Sequence, residues 1–276
     1  MEDSRTDLLP LIKAMQVLAP YLDEIVLVGG WVPMLYRRYG HMSSPHPLLR
    51  TMDIDIVVPG HVEDRGRPTI LQLLSGAGYE PRVHPLDDSL VKYELASPFS
   101  EIEFLTPEIG PPGRATRRVQ QGLTAQALRY LQILLENTVK IGIDDTVCGS
   151  DISLAVNVPS PGAFIHQKGL VLSPGSRRET YKLAKDLYYI LGIVDCPDDV
   201  RDSISADICS FRSRYPARWF DRFVRNLTAY FPESAGEGAA LVTTQYSGGM
   251  PASTFRNYAH RVFRDFLRGI TEGSAR

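Results

Sequence analysis

The sequence predicts an α/β (α+β) fold followed by a helical C-terminal domain, and two observations about its periodicity lead to this. As far as residue 160, short apolar stretches bounded by turn residues alternate with stretches of helical spacing, which is the layout of a mixed α/β domain. After residue 160, apolar residues recur only at the spacing typical of helices. We therefore predict two domains, residues 1–160 and residues 161–276.

The first domain is predicted to start with a helix and then to alternate strands and helices. One strand ends on the pair Gly29–Gly30, and the helix after it tolerates Pro33 in its first turn and ends at Gly40. Residues 123–144 fit either a helix or a helix that runs into a strand. The other predicted elements are helices at 6–24, 31–40 and 67–80, and strands at 24–30, 52–60, 79–85, 89–97, 100–107 and 151–159.

The second domain is predicted to be helical apart from one loop. The stretch 232–251 is rich in glycine and has little apolar periodicity, so we predict a surface loop there. The predicted helices lie at 163–173, 176–194, 197–213, 218–231 and 252–270.

Composition narrows the class of protein. The chain has 276 residues, 43% hydrophobic and 22% charged, which is an ordinary globular composition. Its longest apolar runs are interrupted or shorter than the roughly 20 residues that a membrane span needs, so we expect no membrane partner. The acidic start MEDSRTDLLP lacks the regions of a signal peptide. The three cysteines match no zinc spacing and no disulfide framework, which predicts a cytoplasmic protein with reduced thiols.

Charge is distributed unevenly along the chain, although the net charge is only −2. Residues 1–200 carry 19 Lys and Arg against 25 Asp and Glu, whereas residues 201–276 carry 11 Arg, no Lys and 7 acidic residues. Arginine binds phosphate through a planar fork of donors. The arginine-rich tail is therefore either a set of solvated helix faces or a surface for a polyanion such as RNA.

A pair of aspartates marks one of the predicted strands. Because side chains alternate along a strand, Asp53 and Asp55 share one face. Neighbouring carboxylates repel each other, and their hard oxygen atoms suit Mg²⁺. Glu101 and Glu103 share a face in a later strand, and Glu103 completes a three-carboxylate site if the two strands are adjacent. The alternative for the aspartates is an exposed edge strand with solvated side chains.

The glycine pair Gly29–Gly30 lies at a strand-to-helix turn. Glycine lets backbone N–H groups approach an anion closely, and the N-terminus of the following helix adds the positive end of its dipole. A phosphate cradle combined with a carboxylate pair is suited to the transfer of a phosphorylated group. The simpler interpretation of the pair is a tight turn that starts a helix.

The segments VGGW, RTMDIDIVV and EIEFLTP together resemble the polymerase-beta-type nucleotidyltransferase superfamily, which has Gly-Gly or Gly-Ser, then Asp-x-Asp, then one more acid on a nearby strand. The stretch VNVPSPGAFIHQKGLVLSPGSRRETYKLAKDLYYIL resembles stand-alone bacterial proteins of this fold related to AbiEii-type toxins of type IV toxin–antitoxin systems. The resemblance covers roughly residues 24–195 and implies a mixed sheet flanked by helices. Two positions depart from the pattern, because Trp31 replaces the usual Ser or Thr and Glu103 replaces the usual Asp.

The resemblance also implies a metal-dependent enzyme whose substrate is a nucleoside triphosphate. Asp53, Asp55 and Glu103 would be catalytic and would hold Mg²⁺ or Mn²⁺, with Glu103 also serving as general base. For Arg50 and Thr51, just before the aspartate strand, a plain loop is the alternative to a phosphate contact. The implied nucleotide-binding residues are Gly29, Gly30, Arg50, Thr51, Lys168, Arg178, Lys182, Lys185 and Asp186.

Two roles remain open for the basic residues of the second domain. Arg178, Lys182 and Lys185 recur at spacings of four and three and so share one helix face, which is either solvated or turned to the nucleotide. Lys168 lies in a mostly apolar helix, where its charge needs an anionic partner. Asp186 or a bound triphosphate meets that need.

The implied reaction moves a nucleoside monophosphate from the triphosphate to an acceptor hydroxyl, with pyrophosphate as the leaving group. The toxin-type relatives imply RNA, such as a tRNA 3′ end, as the acceptor and an antitoxin protein as a further partner. One alternative is a small cationic acceptor of the aminoglycoside type, for which Asp87, Asp88 and Glu94 would form an acidic pocket. The others are a protein hydroxyl and a catalytically degenerate scaffold that only binds nucleotide.

Overall fold

A computed structural model describes residues 8–40, 42, 44–49, 51–84, 87–110, 115–145, 152–172, 180–232 and 236–273. The chain divides into two compact units, of which the first comprises Met1–Gly40 and Arg50–Ser160 and the second comprises His41–Leu49 and Pro161–Arg276. The first unit contains a mixed sheet with helices, and the second is helical. The predicted fold class is therefore confirmed. The division differs from a single cut at residue 160, because residues 41–49 cluster with the second unit.

The first unit contains four α-helices and nine strands within the described residues. The helices are α1 Leu9–Val17, α2 Trp31–Tyr39, α3 Ile70–Gly76 and α4 Leu131–Glu136, with a 3₁₀ turn at Ala19–Tyr21. The strands are β1 Val26–Val28, β2 Asp53–Val57, β3 Glu80–His84, β4 Asp87–Ala96, β5 Phe99–Pro107, β6 Thr116–Gln120, β7 Leu123–Leu128, β8 Thr138–Asp145 and β9 Ile152–Pro159.

Strands β1 to β7 form one mixed sheet, and β8 and β9 form an antiparallel pair. Within the mixed sheet, β2 lies between β1, which is antiparallel to it, and β5, which is parallel to it. β4 continues the sheet antiparallel to β5, and β3 follows β4. β7 pairs in parallel with the last residues of β5, and β6 pairs with β7. The two strands that carry the predicted carboxylates are thus hydrogen-bonded neighbours.

One face of the central strands forms the core of the first unit. Ile54 and Ile56 of β2 and Ile102 of β5 are fully buried, and helices α1 and α4 pack against β5. Burying a side chain of this size contributes about 2 kcal/mol. The polar residues that alternate with these isoleucines lie on the opposite face of the same strands.

The prediction for residues 123–144 was wrong in its first part. Leu123–Leu128 form strand β7 rather than a helix, and only Leu131–Glu136 are helical before strand β8 begins. Leu123 and Ala125 are buried on the same face. Gly122, with a φ of +76°, lies between β6 and β7 in a backbone conformation that favours glycine. Because the two strands pair with each other, that pairing overrides the helical propensity of this apolar stretch.

The second unit contains six α-helices among its described residues, and its aromatic side chains form much of the core. His166 is fully buried, with its ring stacked 5.3 Å from Phe211 and edge-on 4.9 Å from Phe223. The helices are α5 Pro161–Val171, α6 Thr180–Val194, α7 Asp198–Arg214, α8 Ala217–Tyr230, α9 Glu237–Thr243 and α10 Ala252–Gly273.

The predicted loop at 232–251 contains helix α9, so this prediction was wrong for residues 237–243. Ala239, Leu241 and Val242 of α9 are buried, and the helix packs against α6 and α10. Because this helix has only seven residues, its sequence shows too few turns for a clear apolar period.

Part of the segment 41–49 is held within the second unit by polar contacts. His46 is buried, and its Nε2 lies 2.6 Å from Oδ2 of Asp195. The Tyr188 hydroxyl donates to the carbonyl of Pro47 at 2.8 Å. Across the described ranges of the chain, every helix is too short or too polar to span a membrane.

Candidate active site

Strand β2 presents its two aspartates on the face opposite the core. Ile54 and Ile56 point into the core and are fully buried, whereas Asp53 is exposed and Asp55 is half-buried. This is the alternation that the sequence pattern predicts for a strand. β2 is not an edge strand, because β1 and β5 flank it, so the edge-strand alternative is wrong.

Strand β5 places two glutamates beside these aspartates. In the parallel register, Asp53 pairs with Glu101 and Asp55 pairs with Glu103. Directly paired residues on neighbouring strands have their side chains on the same face. The two strands are therefore adjacent, which the sequence analysis had to assume, and Asp55 and Glu103 are direct neighbours.

Lys92 on strand β4 is the residue that sequence reasoning missed. It pairs in register with Glu103, and its Nζ forms a close ion pair with Glu101 and lies 4.0 Å from Oε2 of Glu103. The signal was present in the sequence, because Lys92 and Glu94 alternate with the buried Tyr93. Only the strand pairing shows that Lys92 faces the carboxylates.

Several carboxylates lie close together on this face, and the positive charge of Lys92 compensates part of their negative charge. The pKa of Glu103 is raised, first by burial and then by the negative charge of Asp55, while Lys92 opposes the rise. Burial on its own lowers the pKa of Lys92, but Glu101, Glu103 and Asp53 outweigh it and the net pKa is raised. A proton or a cation is therefore favoured beside Glu103.

The glycine pair packs directly against this carboxylate face. Gly29 has a φ of +72°, and a Cβ at this position would lie 2.1 Å from Oδ2 of Asp55. The turn therefore requires glycine both for its backbone conformation and for the close approach of Asp55. Gly30 is the N-terminal cap of α2. The glycine pair therefore does form a turn that starts a helix, as its simpler interpretation states.

Trp31 is one of the two positions that depart from the superfamily pattern, and the structure shows where its side chain lies. Its side chain is only 1% exposed, and no hydrogen-bond partner for its Nε1 occurs among the residues described. The side chain contributes to the core, so position 31 offers an anion only its backbone N–H. Any phosphate contact at this turn depends on the backbone.

The remaining predicted nucleotide-binding residues are divided between the two units, and two of them lie outside the described residues. Thr51 is buried just before β2, whereas Arg50 and Arg178 lie outside the described residues. In the second unit, Lys168 donates from Nζ to Oδ1 of the buried Asp186 at 2.7 Å. This contact meets the need of Lys168 for an anionic partner.

Two further lysines lie on the same helix as Asp186. Lys182 is exposed on α6, and Lys185 is half-buried with its Nζ 5.8 Å from the centre of the Tyr189 ring. The structure thus brings Asp53, Asp55, Glu103 and Gly29 together within the first unit. It places Lys168, Lys182, Lys185 and Asp186 in the second unit.

The donor chemistry of the carboxylate face fits a hard divalent cation. Asp53, Asp55 and Glu103 supply only oxygen atoms, which Mg²⁺ and Mn²⁺ prefer. The pKa of Glu103 is raised first by burial and then by the negative charge of Asp55, and a cation would oppose both effects by favouring the charged carboxylate. Within the described ranges, no three His, Cys, Asp or Glu side chains already converge closely enough to hold a metal ion. Binding would therefore require these side chains to rotate towards a common point.

Comparison with known proteins identifies the family. A family model described as nucleotidyltransferase matches residues 6–202, which is more than two-thirds of the chain. The chain is similar to a solved structure, the crystal structure of an antigenic nucleotidyltransferase-like protein from Paracoccidioides brasiliensis. The two are 19% identical over 77% of this chain and 93% of that chain, with a TM-score of 0.39. No curated protein matches significantly.

The family match, on a chain with a mixed sheet and an acidic central face, defines the class of protein as a transferase. The chain belongs to this nucleotidyltransferase family.

Proposed function

We propose that the protein transfers a nucleoside monophosphate from a nucleoside triphosphate to an acceptor hydroxyl, with Asp53, Asp55 and Glu103 holding Mg²⁺ or Mn²⁺. The observation that carries this proposal is the placement of Asp55, which pairs with Glu103 on one side and packs against Gly29 on the other. A carboxylate face and a glycine turn are thus combined in a chain of the nucleotidyltransferase family.

The chemistry follows from these groups. A divalent cation, when bound, neutralises phosphate charge and lowers the pKa of a nearby hydroxyl. Glu103 accepts the proton of the acceptor hydroxyl, and the hydroxyl oxygen forms a bond to the α-phosphorus. The bond from that phosphorus to the bridging oxygen breaks, and pyrophosphate leaves. Backbone N–H groups at Gly29–Gly30 contact the phosphates, and no covalent enzyme intermediate is needed.

The environment of Glu103 supports its role as the general base. A base works best when its pKa is near the operating pH, and burial together with Asp55 moves the pKa of Glu103 upward, in that direction. Lys92 limits the rise by its positive charge. In this proposal Asp53 and Asp55 are metal ligands only, and Glu103 is both a metal ligand and the general base.

RNA is the acceptor that we propose, in a toxin-like role related to AbiEii-type proteins and with an antitoxin protein as partner. Support comes from residues 201–276, where 11 arginines outnumber 7 acidic residues and several arginines lie exposed on helices α7, α8 and α10. Arginine is well suited to phosphate because of its planar fork of donors. RNA would supply both the hydroxyl and the polyanion that these residues attract.

A small cationic acceptor is a second candidate, and one observation favours it. Strand register aligns Asp53, Glu101, Glu94 and Glu80 in a row across β2, β5, β4 and β3. Arg82 lies at the end of the neighbouring row and pairs with Glu94 at 3.1 Å. This acidic row adjoins the proposed metal ligands and would attract a cation. The side chains of Asp87 and Asp88, predicted to join Glu94 in an acidic pocket, lie outside the described part of the chain.

A labelling experiment tests the proposal. The purified protein is incubated with Mg²⁺ and each α-labelled nucleoside triphosphate, with either total bacterial RNA or the aminoglycoside kanamycin as acceptor. We expect label on RNA with the wild type and with Asp23→Ala, a control at an exposed aspartate that binds Lys140. We expect none with Asp53→Ala.

Each outcome is informative. Label on kanamycin but not on RNA would replace the proposed acceptor with the cationic one. No label on either acceptor, from a folded protein that still binds the triphosphate, would contradict the proposed transfer to both classes and favour a nucleotide-binding scaffold. Label that persists in Asp53→Ala would contradict the assignment of the carboxylate face.

A further inference from the structure

Helices α7, α8 and α10 of the second unit form a surface groove that the proposed chemistry does not use. The groove has a volume of about 560 Å³, within the range of roughly 300–1,000 Å³ that is usual for ligand sites. Its lining includes Arg212, Phe220, Val224, Arg225, Ala229 and Thr271. Two arginines thus border a floor whose apolar side chains are Phe220, Val224 and Ala229.

The arginines of the groove are placed to meet phosphate. Arg212 at the end of α7 and Arg225 on α8 are both exposed. The guanidinium carbon of Arg212 lies 5.7 Å from the centre of the Phe220 ring, which is the distance of a cation–π contact. A guanidinium group that lies over an aromatic face can still donate from its edge to phosphate.

A row of arginines on α10 leads to the same groove. Arg261, Arg264 and Arg268 recur at spacings of three and four, so they share one face of the helix. Thr271, three residues further on, lines the groove. We call these three arginines together with Arg212 and Arg225 the arginine track.

Acidic residues only partly offset the charge of the arginine track. Asp221 lines the groove, and Glu272 lies near the end of the row on α10. Asp265 makes an exposed ion pair with Arg268 at 3.6 Å, a type of pair that contributes little. Among the described residues that line the groove or lie along this face of α10, five are arginines and three are acidic.

We propose that the arginine track binds single-stranded RNA, with one nucleotide seated in the groove between Arg212 and Arg225. The apolar floor accepts a base, and the two guanidinium groups bind the phosphates on either side of it. Single-stranded nucleic acid is recognised by this combination of a cationic path and a surface for bases. Lysine is absent from residues 201–276, and arginine is the better fork for phosphate.

The proposal names the binding surface for the acceptor and so rests on the proposed function for its biological role. RNA binding is nevertheless measurable without catalysis. The experiment uses the full chain carrying Asp53→Ala, and it measures fluorescence anisotropy of a labelled short single-stranded RNA at increasing KCl concentration. We expect binding that weakens steeply with salt because counterions are released.

Two double variants each remove two positive charges. Together they distinguish RNA binding at the arginine track from general electrostatic attraction to the protein. Arg212→Gln/Arg225→Gln removes both groove arginines, and we expect affinity to fall about tenfold or more. The slope of log affinity against log salt should become shallower by about 1.4, or about 0.7 for each lost phosphate contact. Arg214→Gln/Arg256→Gln changes two exposed arginines off the track and should alter neither quantity.

The possible contrary results are distinct. The proposal is overturned if the wild-type surface binds no RNA, or if the control variant weakens binding as much as the groove variant. Displacement of the RNA by polyglutamate at equal charge concentration would assign the surface to an acidic protein instead. RNA binding as expected, without label transfer by the wild type, would contradict the proposed function alone. Unchanged labelling of RNA by the groove variant with Asp53 retained would contradict the groove alone.

Discussion

A Cβ atom on Gly29 would lie 2.1 Å from Oδ2 of Asp55, which joins the two sequence motifs of the candidate site into one packed unit. The aspartate fills the space that a side chain at position 29 would need. The turn and the carboxylate face are therefore coupled, and a change at the turn displaces Asp55.

Gly29→Ala should abolish nucleotidyl transfer and also destabilise the fold. The φ of +72° disfavours any residue with a Cβ by about 1–2 kcal/mol, and the methyl group would also displace the Asp55 carboxylate from its present position. The measurements are thermal unfolding and label transfer. Gly192→Ala is the control, because Gly192 lies in helix α6 with no atom within 4 Å of the added Cβ. That variant should keep its activity and unfold at the same or a higher temperature. An active Gly29→Ala would show that Asp55 need not occupy its present position.

Lys92→Met should move the acid limb of the pH–rate profile to higher pH. Lys92 is the positive charge that opposes the raised pKa of Glu103, so its removal raises that pKa further. A general base must be deprotonated, and activity then disappears at a higher pH as the solution is acidified. The pKa of Glu103 can be followed separately by carboxyl NMR without metal.

Arg82→Met is the matched control for Lys92→Met. Arg82 pairs in register with Lys92 but makes its ion pairs with Glu94 and Glu80. The acid limb should stay in place in this variant. If both variants shift the limb equally, the effect is a general loss of positive charge rather than the contact between Lys92 and Glu103.

Variants at Lys168 and Asp186 separate a structural pair from a phosphate contact. Lys168→Met leaves the buried Asp186 without its lysine partner and should destabilise the protein by about 3 kcal/mol. Lys168→Met/Asp186→Leu replaces both charges with apolar groups and should restore most of that stability. If Lys168 also contacts the triphosphate, the double variant will be stable but will bind nucleotide more weakly. Full affinity in the double variant would mean that Lys168 serves only Asp186.

His166 should make the fold sensitive to acid. Burial lowers its pKa from 6.5 to about 4, so between these values the unfolded chain binds a proton that the folded chain does not. The contribution of His166 to the free energy of unfolding is therefore fully present above pH 6.5. It falls by about 3 kcal/mol as the pH drops towards 4. Chemical denaturation across this range measures it.

The comparison for this prediction is His166→Phe, which removes the titrating group and keeps an aromatic ring beside Phe211 and Phe223. Its stability should fall less between pH 6.5 and pH 4 than that of the wild type. His61→Gln, at an exposed histidine, should follow the wild type. Parallel curves for His166→Phe and the wild type would show that other groups cause the acid sensitivity.

Local periodicity predicted much of this fold correctly and failed where elements were short. The strand that carries Asp53 and Asp55 was predicted because its alternation extends over five residues between turn signals. Strand β7 was misassigned because LTAQAL, although it alternates, consists mostly of the good helix formers Leu, Ala and Gln. Helix α9 was missed because seven residues within a glycine-rich stretch give less than two full turns.

The placement of residues 41–49 could not be predicted for a different reason. His46 lies in the second unit because it contacts Asp195, which is almost 150 residues away in the chain. Nothing in the local pattern around His46 indicates such a partner. The contact is the product of tertiary packing, where the aromatic rings of Phe255 and Tyr258 also surround the histidine.

The sequence by itself determined which side chains share a face, because alternation along a strand and spacing along a helix are local properties of the backbone. It therefore placed Asp53 beside Asp55, and Glu101 beside Glu103. Only the tertiary structure decided that Asp55 pairs with Glu103, that Lys92 faces both glutamates and that Asp55 fills the space beside Gly29. These relations depend on the register between strands far apart in the chain, and that register is set by the packing of the whole sheet.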